Sequence, residues 1–194
     1  MIFYTGVGSR KAENRILNII RVISKFNSDQ LKFILRSGGA DGCDLAFEDT
    51  ASDLKEIWIP WLNFNRSSSN NLPNKEAFII ASEIHSGWDY LSRGAKKLHA
   101  RNIHQVLGRD LNTPSKLLIC WTEKGKCIGG TATAIKLAKQ YNIPIFNIGH
   151  FEKFSDEIIL DYYITFLTNL NCVDGIDLNS IYEYYNNITT KENV

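Results

Sequence analysis

Three glycine-bearing joints carry residue types that can hold an anion: "TGVGSR" (5–10), "SGGADG" (37–42) and "KCIGGTAT" (126–133). Each follows an apolar run of strand character, and each leads toward a segment that can form a helix. Such a turn converges backbone N–H groups, and the helix behind it aims partial positive charge at the same point. Gly8, Gly38, Gly39, Gly129 and Gly130 permit close backbone approach and positive φ. Hydroxyls of Ser9, Ser37, Thr131 and Thr133 can add donors, and Arg10 can clamp oxygens with its planar guanidinium. One such joint is as well explained by a tight turn; three in one chain point to an anionic ligand. The joints match neither a Walker loop nor GxGxxG, so neither ATP hydrolysis nor NAD binding is indicated.

Carboxylates stand beside the second joint. Asp44 and Glu48 are four apart and share a helix face, while Asp41 lies inside the loop. A carboxylate near a sugar C1′ can stabilise an oxocarbenium ion or activate water, and a pair with separated pKa values can do acid–base work. Asp41 or Asp44 can equally cap the helix, Glu48 can be solvated, and a carboxylate can bind ribose hydroxyls with no catalysis. In "RGAKKLHARNIHQVLGRD" (93–110), Arg93, Lys97 and Arg101 recur at helical spacing as one basic face, with His99, Asn102 and His104 as polar neighbours. Among the aromatics, Trp58 alternates with Ile57 and Ile59 as a core residue would. Trp61 and Trp121 end strands, where they can stack a base, and Lys124 and Lys126 flank the last joint.

The elements that must position these groups alternate between short apolar strands and longer helical segments, the pattern of an α/β fold with a mainly parallel sheet. "MIFYTGV", "KFILR", "EIWIPW", "SKLLICW" and "IPIFNIG" read as strands. "RKAENRILNIIRVISKF" carries a helical stripe at Ile16, Ile19, Ile20 and Ile23; "DGCDLAFEDTASD" and "GGTATAIKLAKQYN" are the helices behind the second and third joints. Residues 62–74 form a long polar loop, followed by helices in "KEAFIIASEIH" and "SRGAKKLHARNIHQVLG". After residue 150 come the helix "SDEIILDYYITFLTNL", then "LNSIYEYYNN" and a polar tail. At 194 residues the chain suits one domain with a core of its own. The net charge of +1 leaves no global field for nucleic acid. Cys43, Cys120, Cys127 and Cys172 lack metal-ligand spacing and read as reduced thiols; with no signal peptide or membrane-length apolar run, a cytoplasmic protein is expected.

Taken in order, "YTGVGSRK", "SGGADGCDLAFE" and "GGTATAIKLAKQYNIPIFNIG" resemble the SLOG superfamily, the Rossmann-like group that contains DprA, the LOG phosphoribohydrolases and YpsA-like proteins. "KKLHARNIHQVLGRDLNTPSKLLICW" is similar to a phage-type subgroup with an SGGAxGAD loop. The resemblance spans about residues 1–150 and implies a nucleotide or nucleotide-derived ligand, with phosphate on the glycine loops. LOG enzymes carry a GGxGTxxE element whose glutamate serves N-glycosidic hydrolysis. Here that element falls on Gly129 to Lys136, with Ala132 in place of a glycine and Lys136 in place of the glutamate.

The expected molecule is thus a single Rossmann-like domain with helices on both faces of the sheet. Residues 1–150 form the nucleotide-binding unit, 62–110 are a loop and helix insertion, and 151–194 are a helical extension. Expected function is nucleotide binding, as a sensor or sequestering protein. Alternatives are a nucleotide N-glycosidic hydrolase using Asp44 and Glu48, and a DprA-like single-stranded DNA binder, against which the near-neutral charge speaks. Expected ligand contacts are Gly8, Ser9, Arg10, Ser37, Gly38, Gly39, Asp41, Arg101, Gly129, Gly130, Thr131 and Thr133, with no metal, cofactor or membrane partner and a homo-oligomer left open.

Overall fold

The computed structural model describes residues 1–171, 173 and 175–191, so Cys172 lies outside the described residues. In chain order they form β1 (Phe3–Gly8), α1 (Asn14–Asp29), β2 (Ile34–Ser37), α2 (Cys43–Thr50) and β3 (Lys55–Ile57). Then come α3 (Lys75–Ile84), α4 (Arg93–Leu107), β4 (Leu117–Trp121), α5 (Thr131–Gln140), β5 (Ile145–Asn147), α6 (Asp156–Asn169) and α7 (Ser180–Lys191). The sheet has the order β3-β2-β1-β4-β5, and every pairing is parallel. With seven helices flanking it among the described residues, this is the Rossmann-like α/β architecture that the alternation implies.

Strand side chains alternate between two cores because successive residues point to opposite faces. Tyr4, Leu35, Leu117 and Ile119 face the core shared with α1, α2, α6 and α7, into which α1 sends Ile16, Ile19, Ile20 and Ile23. Val7, Leu118 and Cys120 face the opposite core, closed by α3, α4 and α5 through Ala77, Ala100, Ile103 and Ala134. Residues 62–110 therefore contain two of the three helices that cover this face of the sheet, α5 being the third. α6 and α7 join α1 and α2 on the other face, with Tyr163, Leu167 and Ile181 fully buried.

Element ends differ from the pattern for identifiable reasons. β3 stops at Ile57 because the chain changes partner: the Trp58 N–H donates to the Ser37 carbonyl, the Ile59 N–H to the Asn71 carbonyl, and Pro60 has no N–H to give. β5 ends at Asn147, whose Oδ1 accepts from the Thr122 and Gly149 N–H groups and turns the chain into a short 3₁₀ segment. α7 runs on to Lys191, through most of the expected polar tail, and donor Gln30 on the α1 side meets the Tyr184 hydroxyl at 2.9 Å.

Candidate functional site

β1 leads to β2 on one side, while its other neighbour β4 leads to β5 on the other. The chain exits of β1 and β4 therefore diverge and leave a crevice at the C-terminal end of the sheet. A cleft of about 490 Å³ lies there, within the range of small-ligand sites. The first joint contributes Gly8, Ser9, Arg10 and Lys11, α2 contributes Asp44, and α4 contributes Leu98, His99, Arg101 and Asn102. Thr122, Glu123 and the stretch Ile128–Thr131 complete the wall from the β4 side.

The glycines do different work. At Gly8 an added Cβ would lie 2.6 Å from Cys43 Cβ, so this glycine seats α2 against β1. Gly38 makes room for the Arg101 guanidinium, whose Cζ would be 2.5 Å from such an atom. Gly39 has φ +60 and packs near Ile57 and Ile59. Gly130 has ordinary helical angles (φ −62, ψ −36), and nothing lies within 4 Å of the place a Cβ would take. Neither strain nor crowding explains the absence of a side chain at Gly130. It heads α5, and the cleft opens above it.

A buried ion pair forms the floor. Asp44 and Arg101 are only 2% and 7% exposed, and Asp44 Oδ2 lies 3.5 Å from Arg101 Nη2. Asp44 Oδ1 accepts from the Gly8 N–H at 3.3 Å. Arg101 Nη1 donates to the Gly38 carbonyl at 2.8 Å and Nη2 to Asn102 Oδ1 at 3.0 Å. Asn102 in turn donates to the Gly130 carbonyl at 2.8 Å, which ties α4 to the head of α5. Burial pushes the Asp44 carboxyl above the usual carboxylate range, and the Arg101 guanidinium and the Gly8 and Ala40 N–H groups pull it back. Burial also lowers Arg101, which Asp44 opposes. A guanidinium does not lose its proton in proteins, so Arg101 stays cationic and favours the ionised form of Asp44 beside it. His99 Nδ1 sits 2.7 Å from Thr133 Oγ1, and burial, aided by His85 and Arg101, lowers its pKa to about 4.

Of the residues expected from sequence, Gly8, Ser9, Arg10, Asp44, Arg101, Gly129, Gly130 and Thr131 meet at the cleft. Ser37, Gly38, Gly39, Asp41, Glu48 and Thr133 do not line it. Ser37 donates to the Gly6 carbonyl, Asp41 accepts from Asn65, and Thr133 stands behind His99. Glu48 lies beside Lys55, so the Asp44/Glu48 pair is not presented to a common ligand. The basic face of α4 is split: Arg93 and Lys97 are exposed, whereas Arg101 is buried against Asp44. Trp121 is a core residue, Trp61 stands edge-on to Phe64, and His104 stacks on Trp58 at 4.2 Å; none lines the cleft. Lys124, Lys126 and the exposed Lys136 are also outside it. Lys11, Leu98, Thr122, Glu123 and Ile128 join the wall without a motif to announce them; their only signal is adjacency to the joints and to the β4 end. Among the described residues no cluster of His, Cys, Asp and Glu suits a metal ion, and no helix is long and apolar enough to cross a membrane.

No family model and no curated protein matches the chain. Among solved structures it is similar to DNA processing protein A from Helicobacter pylori, described for its single-stranded DNA binding mode. Identity is 15%, the match covers 75% of this chain, and the TM-score is 0.43. The match spans 64% of the length of that protein. Strand order and parallel pairing establish the architecture independently of that likeness.

Proposed function

We propose that the protein binds a nucleotide or nucleotide-derived ligand in the β1/β4 cleft, with phosphate at the head of α5. The observation that carries this is Gly130: an unstrained, uncrowded glycine at a helix N-terminus that opens on a cleft shared with Arg10 and Lys11. Helix N-termini offer N–H groups and partial positive charge to an anion, and a missing side chain lets it come close. The resemblance of the three joints to SLOG loops supports the same ligand class. Turnover of the LOG kind has little support, because Lys136 replaces the glutamate and only Asp44 of the two alternative carboxylates lines the cleft. Binding without hydrolysis, in a sensor or sequestering role, is therefore favoured. DNA processing protein A binds single-stranded DNA, and a strand presents the same phosphate and sugar groups, so the test includes an oligonucleotide.

Calorimetric titration with the common nucleoside 5′-monophosphates, and with a deoxythymidine oligomer beside them, tests the proposal. A charge-assisted hydrogen bond is worth about 1.5–3 kcal/mol, so Arg10→Ala weakens binding at least about tenfold and Arg10→Lys restores part of it. Wild-type affinity in Arg10→Ala would remove Arg10 from the site.

A further inference from the structure

We propose that the cleft reads the sugar hydroxyls of its ligand through Asp44 and so selects ribonucleotides over their 2′-deoxy counterparts; this rests on the nucleotide reading above. Asp44 is a cleft-lining carboxylate almost wholly removed from solvent. One oxygen, Oδ1, accepts the Gly8 N–H. The other, Oδ2, has the Arg101 guanidinium at 3.5 Å but no hydrogen-bond partner. An ionised carboxylate has about four acceptor sites, and leaving them unmet away from water is costly. Here is a charged acceptor with spare capacity in the wall of a binding cleft.

The charge distribution decides what can approach it. α2 cannot seat a phosphate, because Asp44 puts a negative charge in its first turn. Its head is also closed by the first joint: the Cys43 N–H donates to the Ser9 carbonyl, and a Cβ on Gly42 would lie 2.7 Å from Arg10 Cα. Arg101 is no free phosphate clamp either: both Nη atoms are engaged by Gly38, Asn102 and Asp44, and only the buried Nε is left without a partner, which cannot make a two-pronged contact. Phosphate therefore belongs at the α5 head, and the group that meets Asp44 is a neutral donor. In a nucleoside 5′-phosphate the donors one sugar ring from the phosphate are the 2′ and 3′ hydroxyls; base amino groups lie farther out. Arg101 acts here as a positioning residue that keeps Asp44 ionised and oriented.

The test compares wild-type affinity for ribonucleoside 5′-monophosphates, their 2′-deoxy and 2′,3′-dideoxy counterparts, and ribose 5-phosphate against 2-deoxyribose 5-phosphate. The sugar phosphates remove any contribution from the base. Ribo forms are expected to bind at least about tenfold tighter, as fits a hydrogen bond to a charged group, and Asp44→Asn should bring the ratio close to one. If that variant does not fold with Arg101 left unpaired, Asp44→Asn combined with Arg101→Met removes both charges and serves the same comparison. Measurable binding with equal affinity for ribo and deoxy forms overturns the inference and leaves the nucleotide reading standing. A preference that persists in Asp44→Asn overturns the role of Asp44. No binding by any of these compounds overturns both readings.

Discussion

His99 reports most directly on how the cleft is held. Its ring is 8% exposed, with Nδ1 engaged by Thr133 and the His85 ring edge-on at 4.5 Å. Burial lowers its pKa from 6.5 to about 4, so the folded protein keeps the ring neutral where the unfolded chain takes up a proton. Between those two values the unfolded state binds more protons, and stability must fall as pH is lowered. The loss begins near pH 6.5 and is complete near pH 4. Its ceiling is about 3 kcal/mol, reduced because the ring borders an open cleft. His104, lowered in the same direction, contributes a parallel slope. Urea unfolding across this pH interval should therefore show a shallower decline for His99→Gln than for the wild type. Parallel curves for the two proteins would show that the ring is not held neutral.

At the scale of elements, the glycine joints behave differently under substitution. Gly130→Val adds a side chain where nothing lies within 4 Å, on a backbone any residue can adopt, so the fold survives while the anion seat is filled. Gly39→Val forces a branched residue to φ +60 and is expected to cost about 1–3 kcal/mol of stability, without touching the cleft wall. Thermal melts paired with nucleotide titration check both: loss of binding at an unchanged melting temperature for Gly130→Val, and a lowered melting temperature for Gly39→Val. A folded Gly130→Val protein with wild-type affinity would place the phosphate elsewhere. The joints themselves were legible in sequence, because a strand followed by glycines and a helix is a local pattern. The division of labour among them was not. Whether a glycine faces Cys43, the Arg101 guanidinium or open space depends on elements brought together by the sheet. Arg101 shows the same limit: its spacing from Arg93 and Lys97 suggested a common basic face, and only the packing of α4 over β2 reveals its buried partner in α2.

At the scale of the whole molecule, the α/β alternation and parallel sheet were readable from the apolar runs, since crossover helices leave a clear period change. How residues 62–110 and 151–191 divide the two faces was not, because both stretches are apolar on one side and either face would accept them. The charge balance bears on the ligand itself. Lys and Arg number 22 against 21 Asp and Glu, and the exposed cations at the cleft are Arg10 and Lys11, with Glu123 in the same wall. A single strand bound along a basic track releases counterions, so its affinity falls with salt with a log–log slope near −0.7 for each phosphate neutralised. Two cleft cations set a slope no steeper than about −1.4, and partial opposition by Glu123 makes it shallower. Titrations at several potassium chloride concentrations should therefore give a shallow slope for a nucleoside monophosphate. A deoxythymidine oligomer longer than the ~4–16 nucleotides of a single-strand site should bind no tighter than the monophosphate. An oligomer that binds far more tightly, with a slope of several units, would mean that the cleft is one subsite on a longer nucleic-acid path and that the exposed Arg93 and Lys97 are the next cations to remove.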